Sequence, residues 1–512
     1  MLIFVTRRVV VSFFIVIAST ALTYFLVAYS GNPLDDLLEL RGPDREAKIA
    51  QRTQDLNLDK PVLVRYVLWL REVGQCVSPF AGPCTLGNDR SGLPVMPQLQ
   101  AAIGSTLRLV VAATILALIL GVVAGIVTAL RQYSAFDYGT TFVAFLCFSL
   151  PVFWTSTLLK QYVAIDLNTW LGNPMMTTGE IALVAVLVGA MWAVVIGGER
   201  RRMITVFGVS AAATGTVIYL LLTTGFFVEP QLGTLGILVF GAAAAVGWTA
   251  LFAGLNRRGR TVLAPSLVTV VIGALAAALL QPLLARGSWL VVAATLAGLI
   301  STGMAVGWIL GRNSRRLTMR IGGVTGFSVA VLIFIDQLLQ AYPALYRSTD
   351  GRPIKTTGSS TPHLEAGFWE TQLDYIMYLA LPTLAIMLVS FATYARYTRA
   401  SVLDVMSRDY VRTARAKGLN NRTVVVRHTL RNALVPLATL MAFDFAAIFS
   451  GAIVTETVFG WSGMGKLFTT SLTNVDPNPV MAFFLVSATA IVIMNMVADI
   501  AYAYLDPRIR LR

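Results

Sequence analysis

Charged residues are scarce in this sequence of 512 residues: only 13% are Asp, Glu, Lys or Arg, while 56% are hydrophobic. Soluble domains carry roughly 25% charged residues, so this chain lacks the polar surface that a water-soluble fold needs. Cysteine is also rare, with three residues, which excludes a disulfide-rich scaffold. Histidine occurs twice, and neither H-E-x-x-H nor G-x-S-x-G is present. These absences exclude soluble and disordered proteins and give no support to the common hydrolase sites.

Long apolar runs take the place of the missing charge. A helix needs about 20 mostly apolar residues to cross a hydrocarbon core of roughly 30 Å. Twelve runs meet this requirement, and they predict an all-α polytopic membrane protein. The predicted spans are roughly 9–29, 103–130, 139–163, 181–198, 203–224, 233–254, 262–284, 289–310, 321–341, 372–395, 434–455 and 480–504. The first run is too long for the h-region of a signal peptide, so we expect a retained anchor.

The positive net charge, +14 from 40 Lys and Arg against 26 Asp and Glu, has two interpretations. Basic residues could bind nucleic acid, or they could lie on the cytoplasmic side of a membrane. They cluster at alternate connections between the predicted spans, as the positive-inside rule demands. We therefore expect cytoplasmic N- and C-termini and no nucleic-acid partner. The basic connections are 131–133, 199–202, 256–260, 311–320 and 396–433.

Two long polar segments, 30–100 and 342–370, fall on the opposite, extracytoplasmic side. Part of the first, 44–72, has helical spacing and one apolar face. This face comprises Leu56, Leu58, Val62, Tyr66 and Trp69. Cys76 and Cys84 lie in the same segment, and an oxidising exterior predicts a disulfide between them. Cys147 falls within a span and is interpreted as a packed apolar residue.

A glycine-rich stretch at 460–467 resembles the G-x-x-x-x-G-K-[ST] loop of nucleotide-binding proteins. Its last position is Leu467, which has no hydroxyl group to bind Mg²⁺, and no strand precedes it. We interpret the glycines as the basis of a tight re-entrant turn between the last two spans. The chain is therefore not expected to hydrolyse ATP itself.

Few ionisable residues lie in or at the ends of the apolar runs. They are Arg108, Lys160, Asp336, Asp444 and Asp499. Snorkelling or a protein-lined face usually accounts for such residues, and a role in transport is the alternative. For a substrate path the candidates are Asp444, Asp499 and Glu456. No cluster of metal ligands is predicted.

The basic connection 396–433 contains the most informative pattern in the chain. The Arg, Ala and Lys residues of 409–419 favour a short helix, Asp409 suits its N-terminal end, and Gly418 suits a left-handed terminator. A cytoplasmic helix held between two spans can be pushed by a partner and pass the movement into the membrane. The alternative interpretation is a solvated basic loop.

The same stretch resembles the cytoplasmic coupling motif of the dipeptide/oligopeptide permease subunits of ATP-binding-cassette (ABC) importers. That motif is often written E-A-A-x-x-x-G; Ala414 and Gly418 match it, whereas Arg412 and Thr413 occupy its first two positions. Further segments resemble the family in the same order along the chain. They are 56–62, 104–109, 148–153, 428–436, 451–459, 463–465, 499–502 and 505–510.

This resemblance implies a six-helix type I ABC-importer permease core in the bacterial plasma (inner) membrane. The core would consist of 1–165, with the extracytoplasmic region 30–100, and 371–512, with the coupling loop 396–433. Between core helices 3 and 4, segment 166–370 would be an inserted transmembrane bundle of about six helices, within 181–341. An even number is required because the insertion must begin and end on the same side.

The resemblance also implies a function and a set of partners. The chain would be a non-catalytic subunit that forms half of the path of an ATP-driven peptide importer. Its partners would be a second permease subunit in a heterodimer, two ABC ATPase subunits, an extracytoplasmic substrate-binding protein and membrane lipid. No cofactor would bind to this chain, since ATP and Mg would bind to the ATPases. The implied ATPase-coupling residues are Asp409, Tyr410, Arg412, Thr413, Ala414, Arg415, Ala416, Lys417, Gly418 and Leu419.

Two questions stay open at the level of sequence. Relatives of this kind divide by substrate, so peptides of different length, nickel and glutathione are all compatible with the motifs. From the residues alone, an ion-coupled secondary carrier or a polytopic membrane enzyme is the alternative function, with the basic loop merely solvated.

Overall fold

The computed structural model describes residues 2–505, apart from 40, 42, 78–83, 255–256, 312–313, 363 and 421–422, and apart from 435–451, where only 437, 440, 441 and 444 are described. In this part of the chain the secondary structure is helical, with one isolated bridge between Asn88 and Pro94. Among the described residues, ten helices are long and apolar enough to cross a membrane, or eleven if one bent pair counts as a single span. The prediction of an all-α polytopic membrane protein is confirmed.

Twenty helices are labelled here in chain order. They are α1 (Leu2–Ser30), α2 (Asp35–Leu38), α3 (Arg45–Asp55), α4 (Val62–Val77), α5 (Val95–Leu130), α6 (Ala135–Ser149), α7 (Val152–Leu158), α8 (Leu167–Gly172), α9 (Thr178–Ile196), α10 (Arg200–Thr223), α11 (Gly233–Phe252), α12 (Arg257–Leu279), α13 (Gln281–Arg286), α14 (Trp289–Leu310), α15 (Arg315–Ser348), α16 (Phe368–Ser407), α17 (Asp409–Ala416), α18 (Ile453–Val458), α19 (Met464–Thr473) and α20 (Pro477–Leu505). A π-helical stretch, Leu159–Asp166, joins α7 to α8, and another, Val424–Leu430, precedes a single turn, Arg431–Ala433.

The third predicted span, 139–163, is not one straight helix. It consists of two helical pieces, Ala135–Ser149 and Val152–Gly172, and the chain direction bends by 104° between them. Pro151 has no amide hydrogen to donate, and proline pushes the residue before it out of the helical region. Leu150 is accordingly extended, with ψ 125°, which ends α6. The predicted span 434–455 lies mostly outside the described residues.

The region 30–100, predicted to be extracytoplasmic, folds against the spans. Its apolar face forms as predicted in part: Leu56, Tyr66 and Trp69 are buried, and the two aromatic residues pack with Tyr24 of α1 and Met481 of α20. The stretch 44–72 forms two helices, α3 and α4, rather than one. A disulfide joins Cys76, near the end of α4, to Cys84.

The main packing contact joins helices that are far apart in sequence, α5 and α16. Small residues allow their backbones to approach closely, as in many membrane helix pairs. A Cβ atom added to Gly121 would lie 2.6 Å from the Cβ of Tyr394, and one added to Gly125 would lie 2.5 Å from that of Thr398. These glycines are spaced as G-x-x-x-G and face two α16 residues with the same spacing. The N- and C-terminal parts of the chain therefore share one core.

The helices between α8 and α16 form two units rather than the single bundle expected. Helices α9 and α10 pack as a hairpin, which also contacts α6. Helices α11, α12, α14 and α15 form a four-helix bundle around a core that includes Ile237, Val270 and Val329. This bundle contacts α16 through α15, and the indole of Trp369 donates a hydrogen bond of 2.6 Å to the Leu284 carbonyl.

Asp336 has a structural explanation within this bundle. It is 4% exposed, and its Oδ1 accepts hydrogen bonds from the amides of Leu232 (2.7 Å) and Gly233 (2.9 Å) at the start of α11. Its Oδ2 accepts a bond of 2.8 Å from the Gln340 side chain. A carboxylate is stabilised at a helix N-terminus by the free amides and the helix dipole. Asp336 therefore joins α15 to α11.

Candidate functional site

The short helix predicted at 409–419 is present as α17. It begins after Arg408, which is extended (φ −70°, ψ 147°) and separates it from the end of α16. At its C-terminal end Gly418 has φ +74°, a conformation that favours glycine. The Gly418 amide donates to the Arg415 carbonyl (2.9 Å) and the Leu419 amide to the Ala414 carbonyl (3.4 Å). This pair of bonds is a Schellman motif, so the glycine terminator acts as predicted.

One face of α17 is anchored to the ends of the membrane helices. Val411 is fully buried and Ala414 is 6% exposed. They belong to an apolar cluster that includes Ala129 of α5, Val402 and Val405 of α16, Val424 and Ala433. Packed groups of this kind move together, because a close-packed interior transmits strain. A displacement of α17 would therefore reach both helices of the main core contact.

The opposite face of α17 is open to a partner. All the predicted coupling residues except Ala414 are exposed. Ala414 faces the anchoring cluster, so its part in the site is to hold the helix rather than to touch a partner. Arg412, Arg415 and Lys417 make this surface basic, and the Asp409 carboxylate lies 3.9 Å from the Arg412 guanidinium. An exposed pair of this kind contributes little to stability and leaves both groups available.

Two further polar contacts lie near α17, and the sequence pattern did not identify them. Asn432 donates a hydrogen bond of 2.9 Å to the Tyr410 hydroxyl, which orients that ring across the loop. Arg399 of α16 makes two bonds of 2.9 Å to Asp137 at the start of α6, and Asp137 is 2% exposed. Bidentate Arg–carboxylate hydrogen bonds are among the stronger polar contacts in proteins. Because Asp137 and Arg399 are 262 residues apart, no local sequence pattern predicts their contact.

A second buried polar cluster lies at the other end of the core and is centred on Glu456 of α18. This side chain is 0% exposed and accepts hydrogen bonds from the Thr106 hydroxyl (2.6 Å) and from the amides of Gly465 (2.7 Å) and Lys466 (3.1 Å). Thr106 in turn accepts a bond of 2.8 Å from the Met464 amide. The glutamate therefore caps the first turn of α19 and ties it to α5.

The same cluster explains the glycines of the motif at 460–467. A Cβ atom on Gly463 would collide with the Glu456 carboxylate and would lie 2.5 Å from the Thr106 hydroxyl. One on Gly465 would lie 2.5 Å from the backbone of Ile453. The resemblance to a nucleotide-binding loop thus has a steric origin, because the chain must turn closely around a buried carboxylate.

Of the three residues considered for a substrate path, only Glu456 has fully described surroundings. Glu456 is completely buried and enclosed by its structural hydrogen bonds. Asp444 is half-buried beside Tyr394, and residues 442–443 and 445–451 around it lie outside the described residues. The side chain of Asp499 is also outside the described part. Their part in a substrate path stays a prediction.

Arg90 links region 30–100 to the loop before α20. Its backbone amide donates to Asp476 (2.8 Å), and its guanidinium donates to the Asn474 carbonyl and to Asp36 (both 2.8 Å). Asn478 adds a bond of 2.7 Å to the Asn88 carbonyl. We call Arg90, Asp36, Asn474, Asp476 and Asn478 the outer clasp. It holds region 30–100 over the end of the core.

The outer clasp is expected to make stability depend on pH. Burial raises the pKa of Asp476 from 3.8 to about 6. The folded protein then binds this proton more tightly than the unfolded chain, so stability is lost as pH rises from about 4 to 6. The change is up to about 3 kcal/mol, at 1.36 kcal/mol per pKa unit. Asp476→Asn should remove this component, as measured by thermal unfolding followed by fluorescence of the nine tryptophans.

The matched control for that prediction is Asp409→Asn, which replaces a fully exposed carboxylate. It should keep the wild-type pH profile between pH 4 and 7. A wild-type midpoint that does not fall relative to Asp476→Asn over this range would contradict the raised pKa of Asp476.

Part of the chain matches a known protein family. Residues 294–511 match the model of the binding-protein-dependent transport system inner membrane component family. This range contains α16 to α20, and it also begins within α14, upstream of the boundary predicted at 371. The chain is thus similar to the permease components of binding-protein-dependent transporters.

Individual relatives agree. The oligopeptide transport system permease protein OppB of Mycobacterium tuberculosis is 40% identical over 154 residues, 30% of this chain and 47% of the relative. AppB of Bacillus subtilis, also an oligopeptide permease, is 43% identical over 136 residues (27% and 43%). The di/tripeptide permease DppB of Pseudomonas aeruginosa is 41% identical over 138 residues (27% and 41%). The chain spans less than half the length of these relatives. Their sequence identity to it confirms the resemblance to peptide permeases.

Proposed function

We propose that this multi-pass membrane protein is a permease subunit of an ATP-driven importer for peptides. The observation that carries the proposal is the geometry of α17, which presents a basic, exposed surface on one side and packs on the other against the ends of α5 and α16. An ATPase that grips the exposed face would move both helices of the core contact. The similarity to the oligopeptide and di/tripeptide permeases supports peptides as the substrate class.

The proposal assigns the remaining functions to partner chains. Two ABC ATPase subunits would bind ATP and Mg and dock on α17, and a second permease subunit would complete the path. A substrate-binding protein would deliver its bound peptide to the extracytoplasmic end. The outer clasp and the buried Glu456 cluster would make this end rigid. The chain would lie in the bacterial inner membrane with both termini in the cytoplasm, as the distribution of basic residues predicts.

The domain organisation is proposed on the same grounds. Segments 1–165 and 371–512 would form the permease core, which the packing of α5 on α16 and of α1 on α20 supports. Segment 166–370 would be an insertion that adds the α9–α10 hairpin and the four-helix bundle to the edge of this core. Asp336 lies within that bundle as the cap of α11, which favours a peripheral, stabilising role for the insertion over a direct part in the path.

Purification from native membranes tests the proposed function. The tagged full-length chain, extracted in mild detergent, should bring down two ATPase subunits and a second permease. Reconstituted with its binding protein, this complex should hydrolyse ATP faster when di- or oligopeptides are added. Nickel and glutathione serve as alternative substrates in the same assay.

An ion-coupled carrier would give the opposite result. Uptake into vesicles that contain this chain alone, driven by an ion gradient and unaffected by ATP, would overturn the importer assignment. So would catalytic turnover of a membrane substrate by the isolated chain.

A further inference from the structure

A cavity of about 650 Å³ opens on the outer surface of the four-helix bundle, between α14, α15 and the end of α11. Phe252, Met304, Val324 and Phe327 give it an apolar lining. Phe252, Met304 and Phe327 are each more than two-fifths exposed, so the cavity faces outward from the protein. The helices that line the cavity are long and apolar enough to cross a membrane, so its surroundings would be the hydrocarbon of the bilayer. The cavity is therefore a groove for a molecule that is already in the membrane.

The groove has the length of one leaflet. Arg316 lies at one end and Phe327 at the other, both on α15, and a helix rises 1.5 Å per residue. Their separation is about 16 Å, close to half of a hydrocarbon core of roughly 30 Å. Gly323 lies in the floor, where an added Cβ would approach Met304 Cγ to 3.0 Å. The missing side chain keeps the groove deep enough for an alkyl chain.

Positive charge is confined to one end of the groove. Arg316 and Arg320 are exposed, line the groove and stand one helical turn apart. Among the described residues, no carboxylate forms an ion pair with either guanidinium. The first turn of α15 adds the positive end of the helix dipole. Two guanidinium groups near the positive end of a helix favour a phosphate group, which arginine binds through several hydrogen bonds at once.

We propose that this groove binds one anionic phospholipid, with its phosphate on Arg316 and Arg320 and one acyl chain along Val324 and Phe327. The basic end lies on the side where the distribution of charge predicts the cytoplasm, so the lipid belongs to the inner leaflet. A zwitterionic phospholipid fits less well, because its ammonium group would lie beside the two arginines. The assignment depends on the membrane location of the bundle and is independent of the proposed transport function.

Native mass spectrometry of the delipidated full-length chain tests this site. Phosphatidylglycerol and phosphatidylethanolamine with the same acyl chains are titrated separately. The wild type should bind one phosphatidylglycerol roughly tenfold more tightly than phosphatidylethanolamine, and Arg316→Gln/Arg320→Gln should abolish that preference. Val324→Trp, which fills the groove without changing charge, should weaken binding of both lipids.

The matched control is Arg200→Gln/Arg201→Gln, which removes the same charge from two exposed arginines at the start of α10. It should bind phosphatidylglycerol as the wild type does. Equal loss in both double variants would show a general charge effect and overturn the site, as would unchanged binding in Arg316→Gln/Arg320→Gln. Soluble glycerol phosphate should not displace the lipid; displacement at equal concentration would show a phosphate site without a place for the acyl chain.

Discussion

Replacing Gly418 by valine is expected to reduce ATP-driven uptake by a factor of roughly 5–30 while the chain still inserts into the membrane. Gly418 has φ +74°, and a β-branched residue is strained in that region by about 1–2 kcal/mol. That strain corresponds to a factor of roughly 5–30 in the population of the correctly ended helix. The Schellman bonds to Arg415 and Ala414 would weaken, and the basic face of α17 would lose its fixed position. Uptake by vesicles and recovery of ATPase subunits on purification are the measurements.

Gly418→Asn is the matched control, because asparagine tolerates the left-handed conformation better than other residues with a side chain. Among the described residues, no atom beyond the two chain neighbours lies within 4 Å of a Cβ placed here, so the side chain itself has room. The asparagine variant should keep most of the uptake. If the valine variant transports and binds ATPase normally, α17 is not the coupling element.

Gly463→Val is expected to cause a large loss of stability. The added side chain would collide with the Glu456 carboxylate and the Thr106 hydroxyl, which bond to each other. Overpacking typically costs about 1–3 kcal/mol, and displacing Glu456 from its donors leaves a buried carboxylate unsatisfied at a further cost of about 1–3 kcal/mol. The unfolding midpoint in detergent should fall by several degrees. Cys147, the free cysteine, reports unfolding through a thiol-reactive dye.

Gly208→Val provides the comparison for that variant. Gly208 lies within α10, and a Cβ atom there meets nothing within 4 Å, so the same substitution should change the midpoint little. Glu456→Gln separates the two causes, because glutamine keeps the shape and loses the charge. An unchanged midpoint for Gly463→Val would mean that the Glu456 cluster does not hold α19 to α5.

Local sequence rules succeeded where one short segment carries the whole signal. Long apolar runs identified the spans, since each backbone group in a bilayer must be satisfied within its own helix. Gly418 identified the end of α17, because a glycine terminator depends on one residue and its immediate neighbours. The amphipathic pattern did not separate α3 from α4 and gave one helical stretch. Asn57, with φ 53°, and Pro61 separate them, and an amphipathic pattern does not register such a break.

The roles of single charged residues could not be settled from the sequence. Glu456 was a candidate for a substrate path, and Asp336 was left between a protein-lined face and a role in transport, because a carboxylate near a membrane span has the same appearance whether it binds substrate or caps a helix. Their hydrogen-bond partners lie far along the chain, at Thr106 and at Leu232 and Gly233. Only the folded arrangement shows that these donors are present.

The scarcity of charge and the placement of the basic residues determined by themselves that this is a helical membrane protein with a short basic helix in one of its connections. Both features follow from the cost of placing charge in hydrocarbon, which acts on each segment separately. The tertiary structure decided how the helices are grouped: α5 with α16, a hairpin apart from a four-helix bundle, and a groove that ends at Arg316 and Arg320. Such contacts form between small residues that are far apart in sequence. They therefore depend on how the whole chain packs and not on any one segment.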